Sequence, residues 1–206
     1  MGKTLTISPQ ELYFLGTVLE AKYIDYEYIA HMPDIQKRYS VHEQETFSQL
    51  ADKGYVEEDF SGNVSVSEEI SELLVPVFFG EVESKLMSGE PGDGELDKCN
   101  FHFLNDKITK VSVEDKLTIT EYSQDKLRKA IEECFNGYGR TTDGTFDEEK
   151  IEKIVSIICA KANTGSYRKS WLCMNGTIWQ AGENGEPEAV ELNKAVQQAC
   201  EFACGK

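Results

Sequence analysis

Scarcities narrow the field before any motif does. No stretch of the 206 residues approaches the roughly 18 uncharged residues a membrane-spanning helix needs. The opening Met1–Pro9 lacks the longer apolar run of a secretory signal, so a soluble, cytosolic protein is expected. Long clusters of Lys and Arg are missing, the densest basic spots being Lys37-Arg38 and Arg168-Lys169. With 37 Asp and Glu against 21 Lys and Arg, the net charge is −16. Phosphate backbones and anionic lipids repel such a surface, so neither nucleic acid nor membrane is an expected partner.

Reactive residue types are few and badly placed. His31, His42 and His102 are the only histidines, and each reads as structural or exposed. Cys99 and His102 lie three apart on a strand-like run, where their side chains point to opposite faces. None of the six cysteines (Cys99, Cys134, Cys159, Cys173, Cys200, Cys204) falls in a Cys-x-x-Cys pair. Without an export signal they read as small apolar residues, not disulfides. Met1-Gly2 with Thr6 fits a myristoylation pattern, but no polybasic segment follows, so lipidation is set aside. Gly92-Asp93-Gly94 and Gly137-Tyr138-Gly139 are not phosphate loops, because neither joins a strand to a helix with the needed lysine. Acidic runs such as Glu57-Glu58-Asp59 and Asp147-Glu148-Glu149 read as solvated faces or helix starts. No catalytic, cofactor-binding or metal site is assigned, no cofactor is expected, and the chain is not read as an enzyme.

Hydrophobic residues make up 40% of the chain and aromatics 10%, enough for a core despite a mean hydropathy of −0.44. Ser8-Pro9-Gln10-Glu11 is a capping box opening a helix over 9–20, with Leu12, Leu15, Val18 and Leu19 at helical spacing. A short helix is predicted over Asp25–His31, stopped by Pro33. A second capping box at Ser40 opens a helix with Phe47, Leu50 and Ala51 inward, ended by Gly54. The hairpin Tyr55–Phe60 and Val64–Val66 follows, then a helix from Ser67 whose apolar end runs into Pro76. Glu81–Met87 alternates like a strand, and Ser88–Lys98 is a Gly- and acid-rich loop. Asn100–Leu104, Lys107–Val113 and Lys116–Tyr122 form an antiparallel meander. Ser123 caps a helix over 124–135. A third capping box at Thr145 predicts a helix carrying Ile151, Ile154, Val155, Ile158 and Cys159. Trp171–Met174, Asn175-Gly176 and Thr177–Gln180 make the sharpest hairpin signal, and a last helix follows Pro187 with Leu192, Ala195, Val196, Ala199 and Phe202 on one stripe.

Lys3–Ser8 and Lys116–Thr120 each precede a helix, and each is followed by the same predicted order of helix, connection, capped helix, hairpin and helix. The expected fold is therefore α+β: two pseudo-symmetric winged-helix-like lobes around a central antiparallel sheet, with helices packed on it. The expected division is an N-terminal lobe over 1–88, a loop over 89–98, and a meander with a helix-hairpin-helix lobe over 99–206. A winged helix invites a DNA-binding reading, but charge opposes it. The helix in the recognition position carries Glu43, Glu45 and Asp52, and the following wing Glu57, Glu58 and Asp59. Apolar surfaces are the remaining candidates: Leu86, Met87, Phe101, Phe103, Trp171 and Trp179 mark a docking face if exposed, and core if not.

The element order resembles the EspG-type chaperones of ESX (type VII) secretion systems. The resemblance rests on the Leu-rich helix Glu11-Leu12-Tyr13-Phe14-Leu15, the stretch Leu50-Ala51-Asp52-Lys53-Gly54-Tyr55-Val56, the turn and strand Gly62–Val66, and Leu73-Leu74-Val75-Pro76. About 65 residues carry recognisable pattern, and the order of elements covers most of the chain. The resemblance implies pseudo-twofold lobes around an antiparallel sheet and a cytosolic adaptor that keeps helical-hairpin secretion substrates soluble before export. It carries across no individual contact, and a homodimer stays open. A winged-helix regulator acting through protein contacts is the second reading.

Overall fold

The computed structural model describes residues 2–30, 32, 39–92, 96–162 and 164–206, with 39–42 described by their backbone alone. Met1, His31, Pro33, Lys37-Arg38, Asp93 and Gly94 lie outside the described residues, as does the side chain of His42. In chain order the elements are β1 (Thr4–Ile7), α1 (Pro9–Val18), α2 (Tyr26–Ile29), α3 (Tyr39–Asp52), β2 (Val56–Glu58), β3 (Val64–Val66), α4 (Glu68–Phe79), β4 (Val82–Gly89) and β5 (Asp97–Leu104). They continue with β6 (Lys107–Val113), β7 (Leu117–Tyr122), α5 (Gln124–Cys134), β8 (Lys153–Lys161), β9 (Gly165–Met174), β10 (Thr177–Ala181), β11 (Pro187–Val190) and α6 (Leu192–Ala203). The content is α+β, with a large antiparallel sheet.

Two compact units share the chain. One comprises Met1–Gly80 with His102–Glu121, the other Glu81–Phe101 with Tyr122–Lys206. The division differs from the expected one: residues 88 and 99 fall inside β4 and β5, because strand pairing extends through much of what reads as loop in sequence. Only the middle of Ser88–Lys98 connects the two strands.

In the first unit, β1 pairs with β7 from Thr4↔Thr120 to Ile7↔Leu117, placing Leu5 and Ile7 inward. The Ser8 capping box forms as the sequence dictates: Glu11 N donates to Ser8 Oγ at 3.2 Å and Ser8 N to Glu11 Oε2 at 2.8 Å. Leu12, Leu15, Tyr28, Leu50, Leu74 and Phe78 fill the core beneath β1, β6 and β7. Helix α3 is already running at Tyr39, so Ser40 lies within it and is not its cap. Pro76 is inside α4, and the helix ends at Gly80. An interior proline costs about 3 kcal/mol. Burying Val77 and Phe78 beyond it, at roughly 1.5–3 kcal/mol each, offsets that cost.

In the second unit the order is β4-β8-β9-β10-β11, with α5 and α6 alongside. Ser123 caps α5 through Lys126 N at 3.3 Å. The helix expected from Thr145 is not there. Asp147 caps a single 3₁₀ turn over Glu148–Lys150, and Ile154–Cys159 belong to β8, paired on both sides. The β-branched run Ile154-Val155-Ser156-Ile157-Ile158 favours the pleat, and two neighbours satisfy its backbone. The Asn175-Gly176 hairpin has positive φ at both residues (50° and 74°), as a type I′ turn needs. Pro187–Val190 forms edge strand β11 before the last helix, tolerating proline because an edge leaves one side unpaired. The two units do not share one element order, since a strand stands where the second half was expected to repeat a capped helix.

Candidate functional site

Register across the second unit sorts its strand residues onto two faces. On one face lie the rungs Ser84–Cys159–Tyr167, Leu86–Ile157–Lys169, Ser88–Val155–Trp171 and Lys153–Cys173–Ile178. This face carries the helices: Ser84 Oγ donates to the Ala203 carbonyl of α6 at 2.7 Å, and Phe135 meets the Trp171 ring edge-on at 5.9 Å. The opposite face carries Glu83–Ala160–Ser166, Lys85–Ile158–Arg168, Met87–Ser156–Ser170 and Gly89–Ile154–Leu172–Trp179.

The open face has an apolar end and a polar end. At the apolar end Phe146 packs on Trp179 at 5.5 Å, and Leu96 lies so close over Gly89 that a Cβ there would meet its Cδ2 at 2.5 Å. Met87, Ile154 and Leu172 are half-buried beside them, and Ile158 is half-buried further along, between Lys85 and Arg168. At the polar end Ser156, itself buried, shares a hydrogen bond of 2.8 Å with Ser170, and Arg168 Nη2 donates to Ser156 Oγ at 3.1 Å. Lys85 Nζ lies 3.8 Å from Glu83 Oε1.

Against this geometry the six residues singled out from sequence divide. Leu86 and Trp171 sit under the helices as core, Trp171 fully buried. Phe101 is buried against Tyr122, and Phe103 is buried in the first unit. Trp179 is on the open face but 94% covered by its neighbours, and Met87 is half-buried there. The burial of Phe101, Phe103 and Trp171 has a physical reason: large aromatics gain more from burial than from display. The structure therefore brings Met87 and Trp179 to one face, with Leu86 and Trp171 on the other. Ile154, Ser156 and Ile158 were missed because residues 151–159 read as a helix, and without that strand beside them Arg168 and Leu172 of β9 had no face to share. The signal that could have found them is the β-branched run itself.

Reactive chemistry does not gather on either face. Burial pushes the thiols of Cys134, Cys200 and Cys204 up, and that of Cys173 up to about 12, so none is held as a thiolate. Burial also pushes Tyr138 to about 12, aided by its hydrogen bond to Glu152 at 2.9 Å. The Lys169 ammonium is pushed down by burial and lies 5.4 Å over the Trp171 ring. Among the described residues no three His, Cys, Asp or Glu side chains converge as metal ligands. None of the described helices is long and apolar enough to cross a membrane.

No protein-family model and no curated protein matches this sequence. Among solved structures, the chain is similar to the Mycobacterium tuberculosis type VII secretion chaperone EspG5, determined in complex with a PE25–PPE41 dimer. The TM-score is 0.60 at 8% identity, over 97% of this chain and 96% of the other, so the likeness is one of fold along nearly the whole length.

Proposed function

We propose that this protein is a non-enzymatic, cytoplasmic adaptor that binds helical-hairpin substrates of a type VII secretion system and keeps them soluble before export. The observation that carries the reading is full-length similarity of fold to a secretion chaperone, at a TM-score of 0.60. The open face of the second unit supports it, since half-buried Met87, Ile154, Ile158 and Leu172 form a shallow apolar floor on which a helical tip can rest. Covering an apolar tip removes the surface through which substrates self-associate, and the acidic remainder of the chain keeps the complex dissolved.

Coexpression with a helical-hairpin secretion substrate from the same genome, followed by size-exclusion chromatography, tests the proposal. Co-elution and increased substrate solubility are expected. A substrate equally soluble and unassociated in its presence would refute the adaptor role. Met87→Asp places a charge on the apolar floor and is expected to weaken the complex by about tenfold or more while leaving the fold intact.

A further inference from the structure

We infer that the open face of the second unit reads a carboxylate on the tip of its partner, through a guanidinium held in place by two serines. This rests on the adaptor reading and specifies what the adaptor selects. The chain carries 37 acids against 21 bases, yet the open face reverses that balance: along its rungs two cations, Lys85 and Arg168, stand against one carboxylate, Glu83. Lys85 is drawn toward Glu83 at 3.8 Å. Arg168 is exposed, and its Nη2 is fixed on Ser156 Oγ at 3.1 Å. Ser156 is only 1% exposed and is itself oriented by Ser170 at 2.8 Å. The serine pair thus pins one corner of the guanidinium on the sheet surface and reduces the side-chain freedom that Arg168 loses on binding.

Geometry makes this a selective arrangement. Ser156 lies between Ile154 and Ile158 along β8 and between Met87 and Ser170 across the sheet, so the pinned group borders the apolar floor. A partner that lays apolar residues on that floor brings its next side chain to the guanidinium. An Asp or Glu there gains a charge-assisted, two-pronged hydrogen bond, whereas Lys or Arg is repelled. The occupant is a helical-hairpin tip with an apolar cluster and one carboxylate beside it. Ser156 and Ser170 act as positioning residues.

The test uses the full chain coexpressed with a helical-hairpin secretion substrate from the same genome, with affinity measured at low and high salt. Arg168→Gln is expected to weaken binding at least about tenfold and to flatten its salt dependence. Neutralising the acidic tip residue of the substrate should do the same, and combining the two changes should cost little more than either alone. Ser156→Ala should lie between wild type and Arg168→Gln. An unchanged melting temperature of Arg168→Gln confirms that folding is unaffected. Undiminished binding by folded Arg168→Gln, or a loss that no substrate carboxylate mirrors, overturns the inference and leaves the adaptor role standing. A wild-type chain that holds no substrate removes both.

Discussion

Glu11 joins two elements with a single carboxylate. It closes the Ser8 capping box and also receives Lys53 from the end of α3, with only 5% of its surface exposed. Burial is the largest single influence on its pKa and pushes it up, but the Lys53 ammonium and the Ser8 donors together outweigh it and hold the carboxyl below its usual range. A depressed carboxylate contributes stability above its unfolded pKa, and that contribution is lost as pH falls through the folded value. Glu11→Gln should therefore cost about 1–3 kcal/mol near neutrality and much less in acid, as urea unfolding at the two conditions would reveal. Large side chains give a contrasting pair. Trp171→Ala empties a fully buried site and should cost about 3–5 kcal/mol, whereas Phe60→Ser, on a ring lying wholly in solvent, should stay within about 0.5 kcal/mol by the same assay. Local caps were readable in sequence where the hydroxyl precedes a true helix, as at Ser8 and Ser123. Ser40 instead lies inside α3, which is already under way at Tyr39, and the segment after Thr145 turns into a strand.

Elements were legible in proportion to how one-sided they are. Strand β7 alternates between buried and half-buried residues over Leu117–Thr120 and the Asn175-Gly176 hairpin is announced by its turn chemistry, so both stand near where the sequence places them. Strand β8 is apolar on both faces: Val155, Ile157 and Cys159 meet the helices while Ile154 and Ile158 lie on the open side. Filling both faces removes the period of two, and the residues left conspicuous fall by chance at helical spacing. That misreading hid the open face, and with it the setting of Arg168. Helix α4 shows how tightly an element can be finished. A Cβ at Gly80 would collide with the Pro76 carbonyl oxygen and stand 3.1 Å from that of Phe103, both backbone atoms that cannot swing aside. Gly80→Ala is expected to destabilise by about 1–3 kcal/mol, readable as a lower urea midpoint at unchanged slope.

For the whole molecule, charge is the dominant property. A net charge of −16 and a calculated isoelectric point near 4.6 predict a solubility minimum close to that pH, checked by turbidity across an acid titration. The class of the fold was within reach of sequence because composition and element order are global properties; the division into units was not, because it depends on pairings between segments remote along the chain. Each unit is assembled from two separate stretches, with the backbone passing from one to the other at Gly80/Glu81, Phe101/His102 and Glu121/Tyr122. On the ribosome, the first eighty residues must therefore wait, with β1 lacking its partner β7, until synthesis has passed Tyr122. Nascent chains halted before that point would display raw apolar helices to the folding machinery, and no single proteolytic nick can release either half as a finished piece.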